Sequence, residues 1–159
     1  MKTTGHRHPF LGKWKVGVMR DGRIVGHKVE AFSNGGHSHD YSVLVMRACL
    51  SSLDGCYYSP NSHFIGKVCR TNITSMTAFR GFGMCQSEYI TESMMSEVAE
   101  RLGMDADLFR RINLYKEGDL NPSGHHMHDW TVPQMFDEIQ QSAEYAKRKI
   151  AIDEYNKQS

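Results

Sequence analysis

Two runs near the start of the chain, Lys13 to Met19 and Ile24 to Phe32, alternate apolar and polar positions, the period of a half-buried strand. Asp21-Gly22 lies between them. Asp-Gly between strand-like runs predicts a hairpin, because a type I′ turn needs positive φ at both central residues. A two-residue loop sets Val18 opposite Val25, Trp14 opposite Val29 and Lys13 opposite Glu30. One face then carries Trp14, Val16, Val18, Val25 and Val29, with His27 among them. His27 reads as a histidine tolerated at the sheet margin before it reads as a ligand. From Val43 to Leu53 the pattern is apolar almost all round, which predicts a buried helix capped by Asp40 or Ser42. His63 to Asn72 alternates as one more strand. Gln86 to Leu102 spaces Ile90, Met94, Val98 and Leu102 by four, with Tyr89 and Met95 widening the stripe and Gly103 ending it. Asp105 starts a short helix through Leu108, Phe109 and Ile112. Thr131 and Gln134 have the spacing of a capping box for a long helix to about Tyr155. These elements predict a mixed α/β (α+β) fold: an antiparallel hairpin, a further strand and about four helices, its sheet completed by sequence elsewhere.

Candidate chemistry concentrates in Thr77-Ala78-Phe79-Arg80-Gly81-Phe82-Gly83. Glycines on both sides of Phe82 let the backbone adopt positive φ and press against a ligand. Arg80 adds a planar cation suited to oxyanions. The helix that follows points its unpaired N–H groups back at the loop. Together they describe a pocket for a flat, electron-rich, partly anionic molecule. Arg47 is the single cation of its apolar helix before Asp54, so burial would require an anion beside it, an acidic side chain or a substrate. His125, His126 and His128 invite a metal reading, but no carboxylate or cysteine pattern completes a ligand set. Cys85 stands near a helix start, where a thiol pKa can fall, yet no base is identifiable beside it.

The loop, with Cys69-Arg70-Thr71-Asn72 before it, resembles the molybdopterin-binding region of the xanthine dehydrogenase/aldehyde oxidase family of molybdenum hydroxylases. The likeness continues in order through His8-Pro9-Phe10-Leu11, Trp14-Lys15-Val16-Gly17, Phe32-Ser33-Asn34 with Gly36, Met95-Ser96-Glu97-Val98-Ala99, Asn113 to Leu120, Val132-Pro133 and Asp137-Glu138. It implies that residues 1–159 are a partial molybdopterin-binding domain within a longer chain, an internal fragment closest to the xanthine dehydrogenase branch. It implies cofactor contacts at Phe79, Arg80 and Gly81, with the Arg80 main chain beside molybdenum, and substrate contacts at Phe82 and Arg47. The helix around Arg47 is one residue longer than the family's, which sets Ala48 at the arginine's place unless a bulge compensates. Met84-Cys85 departs from the family's Gly-Pro after Gly-Phe-Gly. The implied activity is hydroxylation of a purine, hypoxanthine or xanthine, with oxygen from water, electrons leaving to 2Fe–2S and FAD centres in other domains of a homodimeric enzyme. An aldehyde oxidase on the same scaffold and a non-catalytic interaction module are the alternatives. The family's catalytic glutamates fall outside these residues, so the isolated chain is expected to be inactive.

Composition narrows the setting. The 159 residues suit one domain, and a net charge of +1 gives no reason to expect nucleic acid or an acidic membrane surface. The N-terminus, from Met1 to His8, has no apolar signal core. Cysteines 49, 56, 69 and 85 form no zinc or iron–sulfur spacing and read as free thiols in a reducing compartment. The cytosol is the expected location, with the peroxisome, which the resemblance allows, as the second.

Overall fold

The computed structural model describes residues 5–158; the first part of the N-terminal segment read above lies outside them. Strands β1 (Phe10–Val18), β2 (Ile24–Gly36) and β3 (Ser62–Arg70) form a sheet in the order β1-β2-β3. β1 pairs antiparallel to β2, and β3 lies parallel to β2, reached by a crossover through α1 (Ser42–Leu50). Helices α2 (Met84–Leu102), α3 (Ala106–Asn113), α4 (Val132–Ser142) and α5 (Tyr145–Gln158) follow. The mixed α/β expectation holds, with five helices among the described residues in place of about four.

The hairpin forms where the alternation predicts, but its turn differs. Met19 and Arg23 close a three-residue loop, and only Gly22 takes positive φ, at 89°. This is a type I turn with a glycine bulge, not a type I′ turn. Val18 therefore pairs with Ile24, and Val25 is passed over and exposed. That bulge restores the predicted register beyond it, with Trp14 opposite Val29 and Lys13 opposite Glu30. Ile24 replaces Val25 in the core.

Two apolar clusters fill the space between sheet and helices. Ile24, Met94, Met95, Val98 and Phe109 belong to one; Val29, Ala31, Met46, Cys49 and Ile90 belong to the other. α2 contributes to both, so it fixes the sheet relative to the loop at its own N-terminus. Tyr89 is 77% exposed and adds nothing to its buried stripe. Gly103 ends α2 in the left-handed conformation, as predicted. Asp105 caps α3 by accepting from Asp107 N and Leu108 N.

The C-terminal helix is broken. Glu144 takes φ +48°, and α5 turns back on α3, where Tyr145 Oη donates to Asp107 at 2.6 Å and Lys149 pairs with Asp105. Thr131 is the N-cap of α4 but makes no capping hydrogen bond, and Gln134 bonds Glu138, so the capping box is absent.

His27 is no marginal residue. It is buried, its ring lies 5.0 Å from that of Phe64, and neither ring nitrogen has a partner among the described residues. Burial pushes its pKa down to about 4 from 6.5. The unfolded chain then binds more protons between these values, so stability is complete above pH 6.5 and falls as pH drops towards 4. About 2 kcal/mol should be lost between pH 7.5 and 5. Urea titrations at the two pH values should show this, and His27→Leu should remove that part of the slope. An equal slope in the variant would assign it to other groups.

Candidate functional site

The loop before α2 is held by the strand ends it crosses. Asn34 Oδ1 accepts from Gly36 N at 3.0 Å and from Thr71 Oγ1 at 2.7 Å, tying the end of β2 to the exit of β3. Met76 N donates to Gly35 O, and Thr77 N donates to His6 O. Asp40 caps no helix through its side chain; its carboxylate accepts from Tyr41 N and from Thr77 Oγ1, at 2.7 and 2.8 Å. Ser42 is instead hydrogen-bonded to His8 Nε2 at 2.8 Å. The buried imidazole of His8 is held below its ordinary pKa by desolvation, partly opposed by the Asp40 charge.

The turn itself is strained. Gly81, Phe82 and Gly83 have φ of 92°, 43° and 101°, three left-handed residues in succession. For Phe82 such a conformation costs about 1–3 kcal/mol and persists only where its surroundings enforce it. Phe82 N donates to Phe79 O at 2.8 Å, and Met84 N donates to Gly81 O at 2.7 Å. Gly83 lies flat on α1: a Cβ there would stand 2.9 Å from Cys49 N and collide with the Val45 carbonyl. That glycine thus serves an approach of backbone to backbone, a use the sequence did not separate from ligand approach. Phe82 is half-buried, edge-on to Tyr41 with ring centres 6.4 Å apart. Phe79 and Arg80 are exposed.

α1 presents two faces. Ser42, Val45, Met46 and Cys49 are buried, whereas Val43, Leu44 and Arg47 are exposed, so the helix is not buried all round. Arg47 has no ion pair among the described residues, contrary to the expectation of a buried, paired cation. Ala48 follows Tyr41 by seven residues and shares its stripe, while Arg47 lies about 100° round the helix. Tyr41 packs edge-on to Phe82, so the stripe of Tyr41 and Ala48 is the one that begins beside the loop.

Residues 1–114 match the family model described as the molybdopterin cofactor-binding domain. The chain is 43% identical to the xanthine dehydrogenase of Emericella nidulans, over 98% of its own length and 11% of that protein's. The chain belongs to the molybdopterin cofactor-binding family. It is also 44% identical to aldehyde oxidase 1 of Oryctolagus cuniculus, over 98% of this chain and 12% of that one. The aldehyde oxidoreductase structure from Desulfovibrio gigas matches with a TM-score of 0.82 at 29% identity, covering 91% of this chain and 16% of that chain. The chain thus spans 11–12% of the length of these curated relatives.

Outside the loop, the other flagged residues stay apart from it. His126 meets the Gly118 carbonyl, and His128 stands 3.7 Å from Glu117, on the exposed loop before α4. No group of three His, Cys, Asp or Glu suited to a metal ion occurs among the described residues. All four cysteines are free thiols; Cys49 is buried, and burial raises its pKa to about 12. None of the described helices is long and apolar enough to cross a membrane. Sequence reasoning missed Tyr41, the neighbour of Phe82, and Arg7, whose guanidinium stacks on Phe79 at 4.6 Å from the ring centre. Arg7 immediately precedes His-Pro-Phe; no periodicity marks it.

Proposed function

We propose that residues 1–159 form part of the molybdopterin-binding domain of a larger molybdenum hydroxylase, and that the strained turn at Phe82 carries one wall of its substrate site. The loop fits the cofactor: Phe79 and Arg80 are exposed, the Arg80 guanidinium has no ion pair among the described residues, and Gln86 Oε1 on the first turn of α2 is buried without a partner. Phe79, Arg80 and Gly81 would hold the group, with the Arg80 main chain nearest the metal. When bound, molybdopterin supplies the two-electron chemistry that puts water-derived oxygen on an electrophilic carbon. The protein's own part is positional. The left-handed backbone fixes the direction of the Phe82 ring, Tyr41 braces its edge, and a flat substrate packs against the ring. Ring packing of this kind contributes about 0.5–1.5 kcal/mol beyond area burial. The remaining domains, with 2Fe–2S and FAD, would take the electrons, in a homodimer of the cytosol or peroxisome.

Lys116-Glu117-Gly118-Asp119-Leu120 favours a purine substrate, as in the xanthine dehydrogenase branch. The α1 geometry favours a second reading. With Ala48 rather than Arg47 on the Phe82 side, the wall offers no cation from α1 to an oxypurine, and an aromatic aldehyde suits it better.

One kinetic experiment on the intact enzyme tests both. Phe82→Ala should lower kcat/KM about 3- to 10-fold for whichever class is used, with little change in thermal midpoint. Unchanged kinetics with a collapse in stability would make Phe82 a packing residue only. Arg47→Met should shift the hypoxanthine-to-aldehyde efficiency ratio towards aldehyde if Arg47 serves a purine. An unchanged ratio selects the second reading.

A further inference from the structure

Arg7 has a place in the fold that its exposure alone does not explain. Its guanidinium lies over the Phe79 ring, and its Nη1 stands 3.3 Å from where a Cβ on Gly81 would be. That Nη1 is buried and has no hydrogen-bond partner among the described residues. Buried donors are nearly always paired, so an orphan on a rigid mount calls for an acceptor. The mount is rigid: Thr77 N donates to His6 O, His8 Nε2 is bonded to Ser42 Oγ, and Gln86 Nε2 donates to His8 O at 3.1 Å. The other end of the same Gln86 amide, Oε1, is likewise buried and unpartnered. A donor and an acceptor are therefore both left open where the segment 6–8 meets the turn into α2. Arg80, in the same turn, has no ion pair within the described residues either.

We propose that Arg7 is a cofactor-positioning residue: held by its stack on Phe79, its Nη1–H beside Gly81 donates to an acceptor atom of molybdopterin, while Gln86 Oε1 takes an N–H from the same group. A pterin carries both kinds of partner on its ring edge, and a guanidinium donor is suited to such an acceptor. The inference rests on the reading above that the Phe79–Gly81 loop holds the cofactor.

The test compares the intact enzyme with its Arg7→Met and Arg7→Lys variants. Molybdenum per protomer is read by elemental analysis, pterin by fluorescence after oxidation, and folding by the thermal midpoint of cofactor-free protein. Arg7→Met should retain about one tenth of the wild-type molybdenum and pterin, the scale seen when a supporting contact to a bound metal is removed. Its cofactor-free midpoint should fall by no more than about 2–4 °C, the loss of the stack on Phe79 alone, so that the missing cofactor is not explained by unfolding. Arg7→Lys should load at a level between the two, because an ammonium lacks the planar fork that stacks and donates together. Wild-type loading in Arg7→Met overturns the proposal. If Arg7→Met does not fold, Arg7→Lys decides, and wild-type loading there overturns it. A wild-type enzyme without molybdenum or pterin would instead refute the cofactor reading of the loop.

Discussion

Gly83→Ala should destabilise the chain by about 3–5 kcal/mol, the sum of a left-handed residue gaining a Cβ and a forced separation of two backbones. Gly83 has φ 101°, and a Cβ there collides with the Val45 carbonyl and stands 2.9 Å from Cys49 N. Neither neighbour is the free end of a side chain; both belong to the α1 backbone, so the loop and helix must part. Denaturant unfolding gives the loss directly. A second readout is position: Phe82 would move from Tyr41, and kcat/KM in the intact enzyme would fall further than Phe82 truncation alone accounts for. A loss below 1 kcal/mol would mean that α1 yields easily, and the turn could not then be the rigid wall proposed.

Asn113→Ala should cost a similar amount, about 3–5 kcal/mol, by a different route. Asn113 is 5% exposed at the end of α3. Its Oδ1 accepts from Ile24 N at 2.9 Å, and its Nδ2 donates to Gly22 O and Phe109 O, each at 2.9 Å. Alanine leaves the Ile24 donor and the Gly22 acceptor buried without partners, and such groups carry their full desolvation penalty. The change appears as a lower denaturation midpoint with an unaltered slope. A near-neutral result would show that water enters the hairpin turn and replaces the amide.

The contrast between these two residues marks what could be read from the chain. Gly83 was visible as special, because glycine beside an aromatic and a cation is an unusual run, but sequence could not say whether ligand or helix α1 pressed on it. Asn113 was visible only within the Asn-Leu-Tyr resemblance; nothing in the spacing reveals a bond to a turn 91 residues away. The hairpin shows a third case. The predicted Trp14–Val29 register is right although the turn type is wrong, because the extra loop residue is offset by the bulge at Val25. Alternation reports the faces of a strand well and its irregularities poorly. The long terminal helix failed for a related reason. No glycine or proline stands at 142–146, and the break at Glu144 follows from tertiary bonds of Tyr145 and Lys149 to α3. At the candidate site, Phe82 and Arg80 came from motif and chemistry, whereas the direction of Arg47 depended on one residue of helix length. The burial expected for Arg47 assumed an apolar helix covered on every side, and its Val43–Leu44 face is exposed.

The Asn113 latch also sets an order in time. The β1–β2 hairpin closes over three residues, an event on the scale of about 1–10 μs. The bond from Asn113 to Ile24 spans 89 residues, and contacts so distant pay their loop-closure entropy late. Asn113 therefore grips a hairpin that already exists. Its free energy should fall on the exit from the folded state rather than the approach to it: in stopped-flow measurements Asn113→Ala should speed unfolding while leaving the folding rate almost untouched.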